Sequence, residues 1–428
     1  MRASDSERPG LRPGRRPDWR PTILQIVPRL DTGGAELTTI EITEAVVAAG
    51  GRALVVTEGG RMAGQIAQRG GELVEMEAGT KNPFKMHMNE RKLVRLIRGE
   101  GVDLVHARSR APAWSAHSAA RRTKKPFVTT YHGAYNETNV FKRVYNRIMA
   151  MGDLVIANSN YTAGLVKERY DTPDARLRVI HRGVDVRSLD PARVSAERVA
   201  ALRSRWGLRP GERAVLHPAR LTGWKGQSTV IEAAARLARD GGLADIVFIL
   251  AGDAQGRTGY RDGLLQQISA LDLADRVRLV GHCDDMPAAY VLASAAIVAS
   301  TEPEAFGRTA AEAQAMGCPV IATAIGAPPE TVLATPGCSA RERTGWLVPP
   351  GAAGTLATCL AEALALPEAA RAAMAERARS HAVHNFSLAA MQQATLAVYD
   401  ELLATALSAA FAATASVNPP ATERADEA

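Results

Sequence analysis

The stretch AIVASTEPEAFGRTAAEAQAMGCPVIAT, residues 296–323, contains a complete structural unit. An apolar run, AIVAS (296–300), gives way to a polar loop with a Phe-Gly step. An alanine-rich segment of helix length follows, and a second apolar run, PVIAT (319–323), closes it. Short runs that are apolar throughout belong to strands covered on both faces, and two of them joined through a helix lie parallel in one sheet. Two carboxylates, Glu304 and Glu312, stand eight residues apart in the loop and helix. Packing does not ask for them. A ligand with polar groups at two distances does.

Outward from this unit the pattern repeats along the chain. Apolar, β-branched runs fall at 22–27, 53–57, 72–76, 102–107, 127–132, 153–158 and 177–183, then at 214–219, 246–252, 276–281, 296–300, 319–323 and 345–349. Helix-length segments separate them, which is the signature of α/β layers. Residues 184–212 break the series with prolines, charges and a helix but no strand. The expected fold is therefore α/β, with two doubly wound Rossmann-like domains facing a cleft. The expected boundaries are a disordered basic leader (1–20), a first Rossmann-like domain (21–185), a linker (186–212) and a second Rossmann-like domain (213–385). A C-terminal helix (386–410) and a disordered tail (411–428) complete the chain.

The totals exclude several classes. The 428 residues suffice for two domains of about 150–200 residues. Four cysteines without C-x-x-C spacing argue for reduced thiols in a cytoplasmic protein. No apolar run approaches the roughly 20 residues of a membrane span. The leader carries six arginines without an apolar core, so it does not read as a secretory signal. Charge is uneven: residues 81–147 hold fifteen Lys or Arg against four acids, together with seven aromatics. Basic charge mixed with amphipathic rings suits an anionic membrane surface, with Arg121, Arg122, Lys124 and Lys125 as the expected contact. An ordinary solvated face is the alternative. Nothing there resembles a nucleic-acid recognition motif.

In such sheets ligands sit beyond the carboxyl ends of the strands. After strand 22–27, Gly33 and Gly34 open a helix whose amino end suits a phosphate. After strand 127–132, His132 is followed by glycine and can point away from the core. In RLTGWKG, Arg220 and Lys225 flank a glycine-rich turn before a helix, the makings of a diphosphate site. Gly252 and Asp253 end the next strand. Glu304 lies in the loop of the opening stretch, with Phe306, Gly307 and Arg308 behind it and Glu312 about a turn into the helix.

Together these motifs resemble the family-4 retaining glycosyltransferases of the GT-B fold. The likeness rests on TGGAE, the His132-Gly133 pair, ANSNYTAGLVKE, VIHRGVD, RLTGWKG, Gly252-Asp253 and the E-x7-E of EAFGRTAAEAQAMGCPVIAT. It covers roughly residues 22–400. It implies that Arg220 and Lys225 bind the donor diphosphate, that Glu304 meets the donor sugar and Glu312 the ribose, and that His132 lies near the reactive carbon. It implies a nucleotide-sugar donor and a lipid-linked or lipopolysaccharide-type acceptor, with no metal or other cofactor. The sequence lacks the D-x-D of metal-dependent transferases. Two positions depart from the family pattern: Arg108 stands where a second histidine is common, and Gly326-Ala327 where Gly-Gly is common. Both border the expected sugar and acceptor pockets. A GT-B sugar-nucleotide epimerase or phosphorylase, a transferase acting on a small soluble acceptor, and a silent sugar-nucleotide binder are the rival readings.

Overall fold

The computed structural model describes residues 19–31, 33–133, 135, 137, 139–239, 241 and 245–417. The chain divides into two units, Met1–Ile180 with Ala389–Ala428, and His181–Leu388. The first contains seven strands: β1 (Thr22–Ile26), β2 (Arg52–Thr57), β3 (Glu72–Glu75), β4 (Leu104–Ala107), β5 (Phe127–Tyr131), β6 (Leu154–Ala157) and β7 (Leu177–Val179). The second contains six: β8 (Arg213–Pro218), β9 (Ile246–Ala251), β10 (Val277–Gly281), β11 (Ala293–Val298), β12 (Val320–Thr323) and β13 (Gly345–Val348). Each strand coincides with one of the apolar runs read from the sequence.

The sheet orders are β3-β2-β1-β4-β5-β6-β7 and β10-β9-β8-β11-β12-β13, and every pairing is parallel. Both sheets are thus doubly wound, with the strand order reversing between β1 and β4 and between β8 and β11. Successive residues on a strand point to opposite faces. In β8, Leu216 joins Val298, Val320 and Phe306 on one face, while Val215 joins Phe248, Ile297 and Ile321 on the other. A sheet buried on both sides needs apolar side chains at consecutive positions, which is why these strands do not alternate with polar residues.

The structure corrects the expected boundaries. Residues 186–212 are not a free linker but part of the second unit. Helix Ala196–Arg205 inserts Leu202 into the core that holds Leu216, with Trp206 and Leu208 beside it. Arg198 fixes the helix by a bidentate pair with Asp285, at 2.9 and 2.6 Å. At the other end, helix Leu388–Leu403 belongs with the first unit almost throughout. The tail expected from 411 is helical as far as Val417, within helix Leu407–Val417, where Phe411 is buried and Thr414 donates to the Ala48 carbonyl at 3.2 Å. The expected leader, apart from Trp19 and Arg20, and residues 418–428 lie outside the described residues. Among the described residues, no helix is long and apolar enough to cross a membrane.

Leu202→Ala tests the reassignment of the 186–212 segment. A side chain deleted from a packed core costs about 2–5 kcal/mol, whereas one on a solvated linker costs next to nothing. Urea denaturation of the variant is expected to show the larger loss.

Candidate functional site

Beyond the carboxyl ends of β8 and β11 the two loops part, because β8 leads through its helix to β9 and β11 leads to β12 on the other side. This is where an open parallel sheet has room for a ligand. The loop after β8 runs through Arg220, which is exposed, to Trp224 and Lys225. The loop after β11 carries Glu304. The Lys225 ammonium pairs with Glu304 Oε1 and lies 4.2 Å from the centre of the Trp224 ring. Ser300 donates to the same carboxylate oxygen at 2.5 Å, and the Thr301 amide donates to the Trp224 carbonyl at 2.7 Å. The two loops are tied together by charge and by backbone.

Glycine makes this closeness possible at Gly226, where φ is +76° and a Cβ would stand 1.9 Å from the Ala299 carbonyl oxygen. Helix Gln227–Arg239 begins directly after it. Gly252, after β9, is pressed as closely on the Ala219 carbonyl. The neighbouring Asp253 is exposed; its carbonyl accepts from the Leu221 amide at 3.1 Å and its carboxylate caps the Gln255 amide at 2.9 Å. The Glu304 carbonyl accepts from Ala327 at 2.9 Å, in the loop after β12. Gly307, at φ +84°, caps helix Arg308–Ala315. Arg308 Nε lies 3.4 Å from Glu312 Oε1, and the Tyr290 hydroxyl donates to Glu312 Oε2 at 3.2 Å.

The nine residues singled out in this half of the sequence all gather at the carboxyl ends of β8, β9 and β11. Phe306 is there as structure: its ring is buried and packs edge-on against Phe386 at 5.5 Å, so only its backbone faces the loop. Sequence reasoning passed over Ser300, whose only signal is its place at the end of a strand, four residues before Glu304. It also passed over His217 within β8. A carbonyl can only accept, so His217 Nδ1 is protonated and donates to the Ile297 carbonyl at 2.9 Å. Burial, the leading cause, pushes its pKa down to about 4. Among the described residues, no group of three or more His, Cys, Asp or Glu is placed to hold a metal ion.

In the first unit Gly33 precedes helix Gly34–Ala48, and Glu36 in its first turn accepts a hydrogen bond from the Asp31 amide. His132 follows β5 and is half-buried, its carbonyl 3.5 Å from Asn158 Nδ2. Beside these positions lies a buried polar chain. His106 meets the Tyr399 hydroxyl through Nδ1 and the Thr130 hydroxyl through Nε2, each at 2.7 Å. Arg108 sends Nε and Nη2 to Gln25 Oε1 at 3.0 and 2.6 Å and Nη1 to Thr130 at 3.3 Å. Burial lowers the pKa of Arg108 from its usual value. Burial first, and then the Arg108 charge, drives His106 well below the ordinary histidine range. His106 is therefore a neutral interior group. Tyr399, from the C-terminal helix, had no signal in the sequence.

Residues 32–188 match the family model "Glycosyltransferase Family 4", and residues 199–381 match "Glycosyl transferases group 1". The D-inositol 3-phosphate glycosyltransferase of Salinispora tropica is 31% identical over 333 residues, 72% of this chain and 67% of that one. The chain belongs to the family-4 glycosyltransferases. Other relatives bearing the same name are matched over 55–58% of their length. Among solved structures, a glycosyltransferase from Rickettsia africae aligns with a TM-score of 0.82 at 34% identity, over 90% of this chain and 99% of that one. HepE from Anabaena, in complex with UDP-glucose, aligns with a TM-score of 0.76 at 26% identity, over 89% and 100%. This family-4 chain is accordingly an enzyme, a glycosyltransferase whose two units each have the Rossmann-like sheet expected from its sequence.

The buried histidine gives the enzyme an acid-sensitive β8. The unfolded chain takes up a proton near pH 6.5, before the folded one does, so the share of stability due to His217 is full above that pH and is lost as pH falls toward about 4. His217→Gln keeps a donor for the Ile297 carbonyl and cannot titrate. Its stability, followed by urea denaturation between pH 7 and 4.5, is expected to fall less steeply than that of the parent, by up to about 3 kcal/mol.

Proposed function

We propose that this enzyme moves a sugar, with retention of configuration, from a nucleoside diphosphate sugar to a hydroxyl of a lipid-linked or lipopolysaccharide-type glycan. The observation that carries the donor side is the Lys225–Glu304 pair, held where the loops after β8 and β11 part. With no donor bound, the carboxylate neutralises the ammonium. A diphosphate brings a stronger negative charge to Lys225 and Arg220, and to the amino end of helix Gln227–Arg239. Glu304 is then released to accept hydrogen bonds from sugar hydroxyls. Glu312, further along the helix, takes the ribose hydroxyls, and backbone amides at Gly307 and Arg308 add donors. Gly252 and Asp253 line the same end of the sheet. From the first unit, this reading takes Gly33 and Gly34 as further nucleotide-sugar contacts and His132 as the group near the sugar's reactive carbon.

The reaction breaks the bond between the sugar's anomeric carbon and the diphosphate oxygen. On the same face it forms a bond to the acceptor oxygen, and the acceptor's proton goes to the departing diphosphate. The protein's part is electrostatic: Arg220 and Lys225 stabilise the charge that grows on the leaving group, so the reading needs no metal. A uridine nucleotide is the first donor to test, since a relative of this fold is known with UDP-glucose. A second acceptor reading, a small phosphorylated polyol, is favoured by the relatives named D-inositol 3-phosphate glycosyltransferases. A thermal-shift screen of UDP-, GDP- and ADP-sugars identifies the donor, because a ligand of the folded state raises Tm. Transfer of labelled sugar into butanol-extractable glycolipid, or into inositol phosphate, then separates the acceptors.

Lys225→Ala is expected to lower kcat/KM roughly 100- to 1,000-fold, through loss of charge stabilisation on the leaving diphosphate. Turnover near that of the parent would remove Lys225 from the site. Titration calorimetry with the bare nucleoside diphosphate distinguishes the two carboxylates. Glu304→Gln is expected to leave that affinity nearly intact while impairing sugar-dependent steps, and Glu312→Gln to do the reverse. Equal losses in both variants would overturn the assignment along the ligand.

A further inference from the structure

We propose that the first unit docks on an anionic membrane through the outward faces of helices Pro83–Gly99 and Val140–Asn146, with the Phe84 and Phe141 rings entering the interface. The inference deepens the glycolipid reading above and rests on it for its purpose, but its geometry and its test are independent of donor and acceptor.

Four large apolar side chains are more than half exposed among the described residues: Phe84 (73%), Val140 (74%), Phe141 (86%) and Val144 (55%). All four lie on these two helices, and one neighbouring helix, Arg110–Thr123, grips both. Ser115 Oγ donates to the Met86 carbonyl at 2.9 Å, and Trp114 Nε1 donates to the Tyr145 carbonyl at 3.2 Å. Arg110 adds a bond to Asn146 at 2.7 Å. The three helices follow β3, β4 and β5, so their first turns rise from the carboxyl edge of the sheet. This is also the edge that carries His132. An apolar group so exposed gains by leaving water, and among the described residues of the first unit nothing covers these four.

Charge decides what kind of surface would cover them. On helix Pro83–Gly99, Arg91, Arg95 and Arg98 follow Phe84 at intervals of 7, 11 and 14 residues. That places them on the face of Phe84, opposite the buried Leu93 and Ile97. Lys142, Arg143 and Arg147, all exposed, stand around Phe141. Rings at the headgroup boundary with cations beside them make the pattern of an interfacial helix on anionic lipid. The Lys85 ammonium is already matched by Glu77 at 2.8 Å and is left out of this set.

The cluster expected from the sequence is a different one and does not fit. Arg121, Arg122, Lys124 and Lys125 lie at the far end of helix Arg110–Thr123, just before β5, and so at the amino edge of the sheet. There Arg121 pairs with Asp153 and Arg122 with Glu90, each at 2.9 Å, and Lys125 lies 3.8 Å from Asp103. Their charge is largely answered within the protein. Phe127 and Tyr131, counted with the aromatics of this segment, are interior.

Co-sedimentation of the full chain with vesicles tests the proposal, without donor or acceptor. The protein is expected to pellet with phosphatidylglycerol–phosphatidylcholine vesicles at low salt, to be released as salt rises, and to ignore phosphatidylcholine alone. The F84S/F141S and R91E/R95E variants are each expected to weaken binding by about tenfold or more. R121E/R122E is expected to bind as the parent does. All six positions are exposed, and thermal melts verify that the variants fold. Absence of binding to anionic vesicles, or indifference to F84S/F141S, would overturn the proposal, as would an equal loss in R121E/R122E. Self-association of the parent that is abolished by F84S/F141S, seen by light scattering, would assign the face to a second copy instead. Failure on vesicles leaves the donor titrations untouched, so it cannot be mistaken for failure of the glycosyltransferase reading.

Discussion

Parallel pairing is the constraint on which the rest of this molecule depends. A strand cannot return to a parallel neighbour through a tight turn, so each connection crosses back through a helix, and all carboxyl ends fall on one edge. Where the strand order reverses, between β8 and β11, consecutive connections leave in opposite directions and the loops separate. The sequence places Arg220, Lys225 and Glu304 in those two loops and keeps the loops close with a glycine. Gly226 against the Ala299 carbonyl is a contact that any other residue would push apart. The site therefore follows from the topology, and the topology from strands apolar on both faces.

Two cations in this structure are handled in opposite ways. Lys225 is mostly buried and is answered by a carboxylate that Ser300 also holds. Taking such a pair out of water is costly, and leaving one partner alone is costlier. In the donor complex proposed above, a diphosphate that displaced Glu304 would supply the negative charge that Lys225 then lacks. Arg108, buried in the first unit, hydrogen-bonds to Gln25 and Thr130. Its guanidinium helps to keep His106 neutral, and His106 in turn fixes Tyr399 of the returning helix. A chain of buried hydrogen bonds thus joins strands of this unit to Tyr399 of helix Leu388–Leu403.

Much of this was legible in the residues. Thirteen apolar runs became thirteen strands in two sheets, because a strand covered on both faces needs an unbroken apolar run and few other elements do. The candidate site was legible wherever a strand end, a glycine and a charged residue coincide, as in RLTGWKG and EAFGRTAAE. What was not legible depends on partners far along the chain. Prolines and charges at 186–212 read as a linker, yet Leu202 and Trp206 belong to a core whose other members lie as far along the chain as Phe386. The basic segment 81–147 read as a single patch, but pairing with Asp153, Glu90 and Asp103 removes one end of it and leaves the other exposed.

The sequence by itself determined the α/β class, the number of strands and the loops that carry chemistry. These follow from period, composition and neighbours a few residues apart. Only the tertiary structure decided that Phe306 is core rather than contact, that Lys225 meets Glu304, and that the last helices close on the first unit. Each of these is a contact between distant residues. Local chemistry can make such a contact possible, but the packing of whole elements chooses among the possibilities.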